Sequence, residues 1–170
     1  PFPYAMPPGI SREVDPANPQ LTQLNEQSLV LNVADLQDGE AKAVYKNTEY
    51  DFRSYRNLRM FVHAEEVQNI PLDTNDLTVF VRLGMDATEN YYEIEVPLAL
   101  SDPAKQPSNP AKPSDDEDYR KNVWSSSSEI NILLEQLPEV KLARNAAGYP
   151  QNLIYEQVLA NGQRIRVVGN

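Results

Sequence analysis

The chain has no cysteine, a single histidine and only 6 glycines among its 170 residues. The absence of cysteine excludes disulfides, thiolate metal sites and a cysteine nucleophile. With His63 alone, no His-rich zinc site or metalloprotease motif can be assembled, and no G-x-S-x-G sequence accompanies it. We therefore expect His63 to be a surface histidine or a strand histidine with its hydrogen bonds satisfied, rather than a catalytic base, and we expect no cofactor.

Long apolar runs and basic clusters are also missing. No run approaches the roughly 20 residues of a membrane-spanning helix, and no signal peptide opens the chain, so we expect a soluble chain. The formal net charge is −10 and the 15 lysines and arginines are scattered, which argues against a nucleic-acid partner. The chain starts at Pro1 instead of methionine, which suggests a processed product or a piece of something larger.

Proline, in contrast, is abundant, with 14 residues, and it marks two segments. Residues 1–26, which begin PFPYAMPPGI, lack a helix or strand period and predict an extended N-terminal arm. Residues 101–120 combine prolines with an acidic cluster. That composition predicts a mobile acidic loop, because it buries too little apolar surface to order itself.

Short runs of alternating apolar residues predict antiparallel strands along most of the remaining chain. The runs lie near residues 29–33, 41–46, 58–64, 77–83, 91–96 and 130–132. Two further strands flank Asn161-Gly162, a dipeptide typical of a type I′ hairpin, which would pair Val158 with Ile165. A short helix is expected after Leu137, with Pro138 in its first turn.

These elements together predict an all-β (mainly β) domain over residues 27–170. We expect an antiparallel β-sandwich of jelly-roll, galactose-binding-like type, with one short helix and the mobile loop at 101–120.

Aromatic and charged side chains share one side of the predicted strands. They form a candidate contact face of Phe61, Phe80, Arg82, Tyr91, Glu93, Glu95 and Trp124. Glu93 and Glu95, two apart on a strand, have a spacing that a glycosidase could use, but nothing apolar nearby would raise a carboxyl pKa, and pairing with Arg82 is favoured. The rings could stack on sugars, or could simply belong to the core or an interface.

Acidic residues offer candidate metal ligands at one place, Asp115, Asp116, Glu117 and Asp118. They lack the D-x-[DN]-x-[DN]-G spacing of a calcium loop, so a solvated acidic run is favoured and no metal is assigned. Asp86 and Glu89 are expected to be turn formers rather than ligands.

Two stretches are similar to a known family. PPGISREVDPANPQLTQLNEQSLVLNVADLQDGEAKAVYKNTEYDFRSYRNLRMFVHAE and the later LPEVKLARNAAG resemble a segment of the very large SprA/Sov proteins of Bacteroidota. The similarity runs from about Pro7 to Asn170. Those proteins are the outer-membrane translocons of the type IX secretion system, and gliding species need them for motility.

The resemblance implies a structural or interaction module of such a translocon, without enzymatic activity. It implies a place in the cell envelope, associated with the outer membrane on its periplasmic or outer face. The expected partners are other parts of the parent translocon, secretion-system subunits or cargo proteins. The strands also resemble sugar-binding jelly rolls, so the alternative is a carbohydrate-binding module of a cell-surface protein, with a glycan as ligand.

Overall fold

The computed structural model describes residues 2–12, 17, 28–66, 72 and 76–170. The chain divides into two compact units: Pro1–Pro8 together with Phe52–Asn170, and Gly9–Asp51. The composition places an arm at residues 1–26, but the structure includes the first eight residues in the larger unit. Residues 13–16 and 18–27 of the predicted arm lie outside the described residues.

Six strands in the described part of the larger unit form two antiparallel sheets. The smaller sheet pairs β1 (Asn57–Met60) with β4 (Ile130–Leu133). The larger sheet has the order β2-β3-β6-β5. Its strands are β2 (Thr78–Gly84), β3 (Tyr91–Pro97), β5 (Tyr155–Val158) and β6 (Arg164–Val168). A mainly β fold with antiparallel sheets is thus confirmed, and the jelly-roll sandwich stays a prediction. Strand β1 ends at Met60, so it is shorter than the strand predicted near residues 58–64.

Two α-helices in the described residues accompany the sheets. The expected helix is α2 (Gln136–Ala146), which has Pro138 in its first turn. A 3-10 turn, Pro113–Asp115, lies within the predicted loop at residues 101–120. A second helix, α1 (Glu117–Val123), begins in that loop and extends past its end. Helix α1 forms because Asp116 caps its first turn, acidic residues follow the cap, and basic residues occupy its last turn.

The main core lies between the apolar side of the larger sheet, the smaller sheet and α2. Its buried members are Ile94, Val96, Ile130, Ile132, Leu137, Val140, Ile165 and Val167. Alternate residues of a strand point to opposite sides, so β3 and β6 give Ile94, Val96, Ile165 and Val167 to the core, together with the partly buried Tyr92. The intervening residues of both strands lie on the far side. Each such aliphatic side chain contributes about 1.5–3 kcal/mol by burial. The far side of the sheet is therefore available for another role.

The last hairpin has a different turn from the predicted one. Gly162 donates its N–H to Leu159 O at 2.9 Å, and Leu159 donates to Gln163 O at 2.8 Å. Gly162 has φ +82, whereas Asn161 is not among the residues with positive φ, so the turn is not type I′. A loop with one extra residue and a left-handed glycine shifts the register by one. The predicted pairing of Val158 with Ile165 is therefore wrong, and Val158 lies opposite Arg164.

The smaller unit has no helix or strand among its described residues, 9–12, 17 and 28–51. The predicted strands at 29–33 and 41–46 are therefore wrong, although the turn at Asp38-Gly39 is present and Gly39 has φ +79. Leu29, Leu31 and Val33 alternate as a strand would, but they are exposed. An alternating pattern makes a strand only when a neighbouring strand completes its hydrogen bonds.

Candidate functional site

The side of the larger sheet that faces away from the core carries a dense set of charged and aromatic residues. We call it the charged sheet face, and its members are Phe80, Arg82, Tyr91, Glu93, Glu95, Glu156, Arg164 and Arg166. The register places Arg82 opposite Glu93, Glu93 opposite Arg166, and Arg166 opposite Glu156. One row of alternating charge therefore crosses all four strands.

Both buried carboxylates of this face are fully engaged by arginines. Glu93, only 3% exposed, accepts from Arg82 Nε at 2.6 Å on one oxygen and from Arg166 Nη1 at 2.7 Å on the other. Glu95 accepts from Arg166 on one oxygen and from Arg164 at 3.5 Å on the other. The predicted pairing of Arg82 with Glu93 is confirmed, and neither carboxylate has an oxygen without a partner.

Arg166 is the centre of this network. Burial alone lowers the pKa of its guanidinium, but hydrogen bonds to Glu93 and Glu156 and the charge of Glu95 outweigh burial, so the pKa lies above its usual value. Its Nε donates to Glu156 at 2.7 Å. Arg166 thus holds three carboxylates from two neighbouring strands.

The aromatic rings of the face are covered by Arg82. Its guanidinium carbon lies 4.2 Å from the centre of the Tyr91 ring and 5.2 Å from that of Phe80. Such cation–π contacts contribute about 0.5–2 kcal/mol each. Tyr91 is buried, so its ring is not an open platform for stacking on a sugar.

The two remaining residues of the predicted contact face, Phe61 and Trp124, lie in a separate group. We call this group the aromatic groove, formed by Phe61, His63, Tyr119, Arg120 and Trp124. The Trp124 ring contacts those of Phe61 and His63 edge to face, at centroid distances of 6.2 Å and 6.0 Å. His63 in turn contacts Phe2 at 5.3 Å. The structure therefore divides the predicted face between two places.

His63 lies within this aromatic packing. Its Nε2 is buried and has no hydrogen-bond partner. Burial lowers the pKa of His63, and the charge of Glu65 offsets only part of that effect. This environment favours a neutral, packed histidine. His63 lies past the end of β1 with an Nε2 that is unpaired within the described part of the chain, so it is neither the surface histidine nor the satisfied strand histidine that the sequence suggested.

The predicted acidic cluster serves helix α1. Asp116 accepts the N–H groups of Ser108 at 2.9 Å and Tyr119 at 3.0 Å, and these bonds lower its pKa to about 2. Glu117 pairs with Lys121 at 2.6 Å. Within the described residues, no three His, Asp or Glu side chains come together as metal ligands.

Asp86 is a turn former, as predicted. It accepts the N–H groups of Thr88, Glu89 and Asn90 at 2.9, 2.6 and 3.0 Å, and the Asn90 side chain at 2.8 Å. These bonds, the one from the Asn90 side chain first, place the pKa of Asp86 well below its usual value. Asp86 thereby fixes the connection between β2 and β3, which form the first two strands of the charged sheet face.

Several site residues are absent from the sequence-based prediction. The alternation of Arg164 and Arg166 with Ile165 and Val167 indicates a charged side on β6, and it could have been used. Tyr119 and Arg120 follow an Asp116 cap and acidic first-turn residues, which is a recognisable helix start. The contact of these residues with the first residues of the chain has no sequence signal, because it joins positions more than 110 apart.

Comparison with known proteins assigns the chain to a family. No helix in the described ranges is long and apolar enough to cross a membrane. A comparison with curated proteins finds no match. The family model SprA_N, described as motility related/secretion protein, matches residues 1–170. Because the match covers the whole chain, this protein belongs to the SprA_N family of motility related/secretion proteins.

Proposed function

We propose that this chain is a structural and interaction module of the outer-membrane translocon of the type IX secretion system, which also serves gliding motility. Its family supports a role in motility or secretion and a place in the cell envelope. The association with the outer membrane, on its periplasmic or outer face, rests on the resemblance to SprA/Sov proteins. The proposed partners are other parts of the translocon, its subunits or its cargo.

The observation that carries the proposal is the charged sheet face. Three arginines and three glutamates from four adjacent strands are held in a fixed pattern by hydrogen bonds across the strands. A rigid surface of alternating charge discriminates between partners, because a wrongly charged partner group meets like charge. The face also presents the partly exposed arginines Arg82 and Arg164, and arginine is enriched where proteins meet.

We propose that the module acts by protein contacts and not by catalysis. General acid–base catalysis needs a carboxyl group within reach of the substrate proton. Glu93 and Glu95 instead direct both oxygens of each carboxylate to arginines. Any hydrolytic activity lost in Glu93→Gln would overturn this part of the proposal.

The finer fold assignment belongs to the same proposal. Ile130 and Ile132 of β4 share one core with Ile94 and Val96 of β3, as the layers of a sandwich would. We propose that the two sheets are the layers of a small jelly-roll sandwich completed partly by α2.

The function can be tested by affinity capture with matched surface variants. The chain is used as bait in envelope extracts of the cells that make it, and secretion-system components are quantified by mass spectrometry. Val158→Glu alters an exposed position beside Arg164 on the charged sheet face, and Leu142→Glu alters an exposed position on α2. We expect the Val158 variant to recover at least fivefold less of these components than the wild-type chain and the Leu142 variant. Recovery of none by the wild-type chain contradicts the proposal.

The alternative, a carbohydrate-binding module, is tested by a glycan panel. If the module acts by protein contacts, we expect none of the glycans to bind, because Arg82 covers the Tyr91 ring. A cleft of about 340 Å³ beside the last hairpin, with Ser126, Asn131 and Gln163 in its lining, has no aromatic side chain. Glycan binding that disappears in Tyr91→Ala or Trp124→Ala would favour the alternative.

A further inference from the structure

The first residues of the chain lie in the aromatic groove of the larger unit. Ala5 is fully buried there, while Tyr4 beside it is exposed. After Pro8 the chain runs through the other unit, Gly9–Asp51, before it returns to the larger unit at Phe52. Gly9–Asp51 therefore separates the segment from the groove in sequence, and this connection resembles the tether of a ligand held in cis.

The groove holds this segment mainly by its main chain. The acceptors are the carbonyl oxygens of Pro3, Ala5, Met6 and Pro7. Tyr119 Oη donates to the Pro3 carbonyl at 2.5 Å, and Trp124 Nε1 donates to the Ala5 carbonyl at 2.7 Å. Arg120 donates from Nε to the Met6 carbonyl at 3.0 Å and from Nη2 to the Pro7 carbonyl at 2.9 Å. Three neighbouring side chains of the α1 region thus satisfy four carbonyl groups.

The N–H group of Met6 is matched as well. Prolines at positions 3, 7 and 8 have no N–H group to satisfy. Met6, which has one, donates it to Ser114 Oγ at 3.0 Å. An extended Pro-rich backbone leaves its carbonyl groups free for an outside partner, and aromatic-lined grooves bind such segments with little loss of conformational entropy.

We propose that the aromatic groove is a binding site for extended, Pro-rich peptides, and that residues 2–7 occupy it as an exchangeable ligand held in cis. The groove selects a small residue at the position of Ala5, an N–H group at the position of Met6, and proline at the flanking positions. This proposal concerns a different surface from the charged sheet face and stands independently of it.

The test uses the full chain with a protease site inserted after the exposed Gly9 and cut once the protein has folded. Fluorescein-labelled peptide PFPYAMPPG is then added, and binding is followed by fluorescence anisotropy. We expect saturable binding to the cut chain as the label exchanges with the severed segment. The uncut chain should bind at least tenfold more weakly, because its tethered segment competes at a high effective concentration.

Matched variants separate recognition from general stickiness. A labelled peptide with Ala5→Glu should not bind. Trp124→Phe removes one hydrogen-bond donor from the groove and should weaken binding about tenfold. Tyr155→Phe, on β5, is the aromatic control and should bind like the wild type.

Three results would overturn the proposal. The first is no peptide binding by a cut chain whose circular dichroism spectrum is unchanged. The second is equal binding of the wild-type and Ala5→Glu peptides. The third is unfolding of the protein on cutting, which would make the segment a structural part and not a ligand.

Discussion

Replacing Arg166 by glutamine is expected to destabilise the larger unit by about 3 kcal/mol. The Arg166 side chain is 23% exposed, and it pairs with Glu93, Glu95 and Glu156. Its loss leaves Glu93 with Arg82 alone and leaves Glu95 with a single contact of 3.5 Å to Arg164. Removing one partner of a buried ion pair costs about 3–5 kcal/mol, and the partial exposure of Arg166 places the effect at the lower end.

Arg164→Gln is the matched control, because it removes the same side chain from the same face of β6. Arg164 is 49% exposed and makes one ion pair, at 3.5 Å. Exposed pairs contribute little, so we expect a loss below about 1 kcal/mol. Urea unfolding followed by Trp124 fluorescence and circular dichroism gives both values. Equal losses in the two variants would show that the network does not stabilise the sheet as described.

Three further perturbations test other parts of the structure. Burial lowers the pKa of His63 below 6.5, so the unfolded chain binds a proton more readily than the folded chain. The free energy of unfolding of the wild type should therefore fall from about pH 7 to about pH 5, and His63→Phe should lose less over this range in urea unfolding. A Cβ at Gly84 would lie 2.1 Å from Asn90 O, whereas Gly148 has open space but φ +64. Gly84→Ala should therefore cost about 2 kcal/mol or more and Gly148→Ala about 1 kcal/mol, and equal losses in thermal unfolding would contradict the clash. The pKa of Asp86 is lowered by its hydrogen bonds, so Asp86→Asn should lower the melting temperature at neutral pH. The difference in melting temperature between wild type and variant should shrink as the pH falls below 3.8. An unchanged melting temperature at neutral pH would contradict the role of Asp86 in the turn.

The sequence predicts the strands of the core well, because their pattern repeats with period two. In β2, Val79 and Val81 alternate with Thr78, Phe80 and Arg82. In β3, Ile94 and Val96 alternate with Glu93 and Glu95, and both strands form as expected. The same pattern near Leu29 does not give a strand. An alternating pattern indicates that one side of a segment is apolar, but it does not indicate whether a neighbouring strand is present to pair with it.

The site was less predictable because it depends on register and on distant contacts. Asn161-Gly162 favours a two-residue turn, but the observed loop has one more residue, and this places Val158 opposite Arg164 on the charged sheet face. Asp116 starts a helix within an acidic, Pro-rich segment whose overall composition favours a loop, so the composition outweighed the cap in the prediction. The contact of Trp124 with Ala5 joins two segments that no local pattern relates.

The charged sheet face is proposed to meet proteins of the secretion machinery. Site-specific photo-crosslinking in the cells that make the protein tests this contact. A photoreactive amino acid is placed at Val158 on that face, which is 58% exposed, or at Leu142 on α2, which is 67% exposed. We expect cross-links from Val158 to envelope proteins of the secretion or motility machinery, and few from Leu142. An absence of cross-links at Val158, or the same products from both positions, would contradict it.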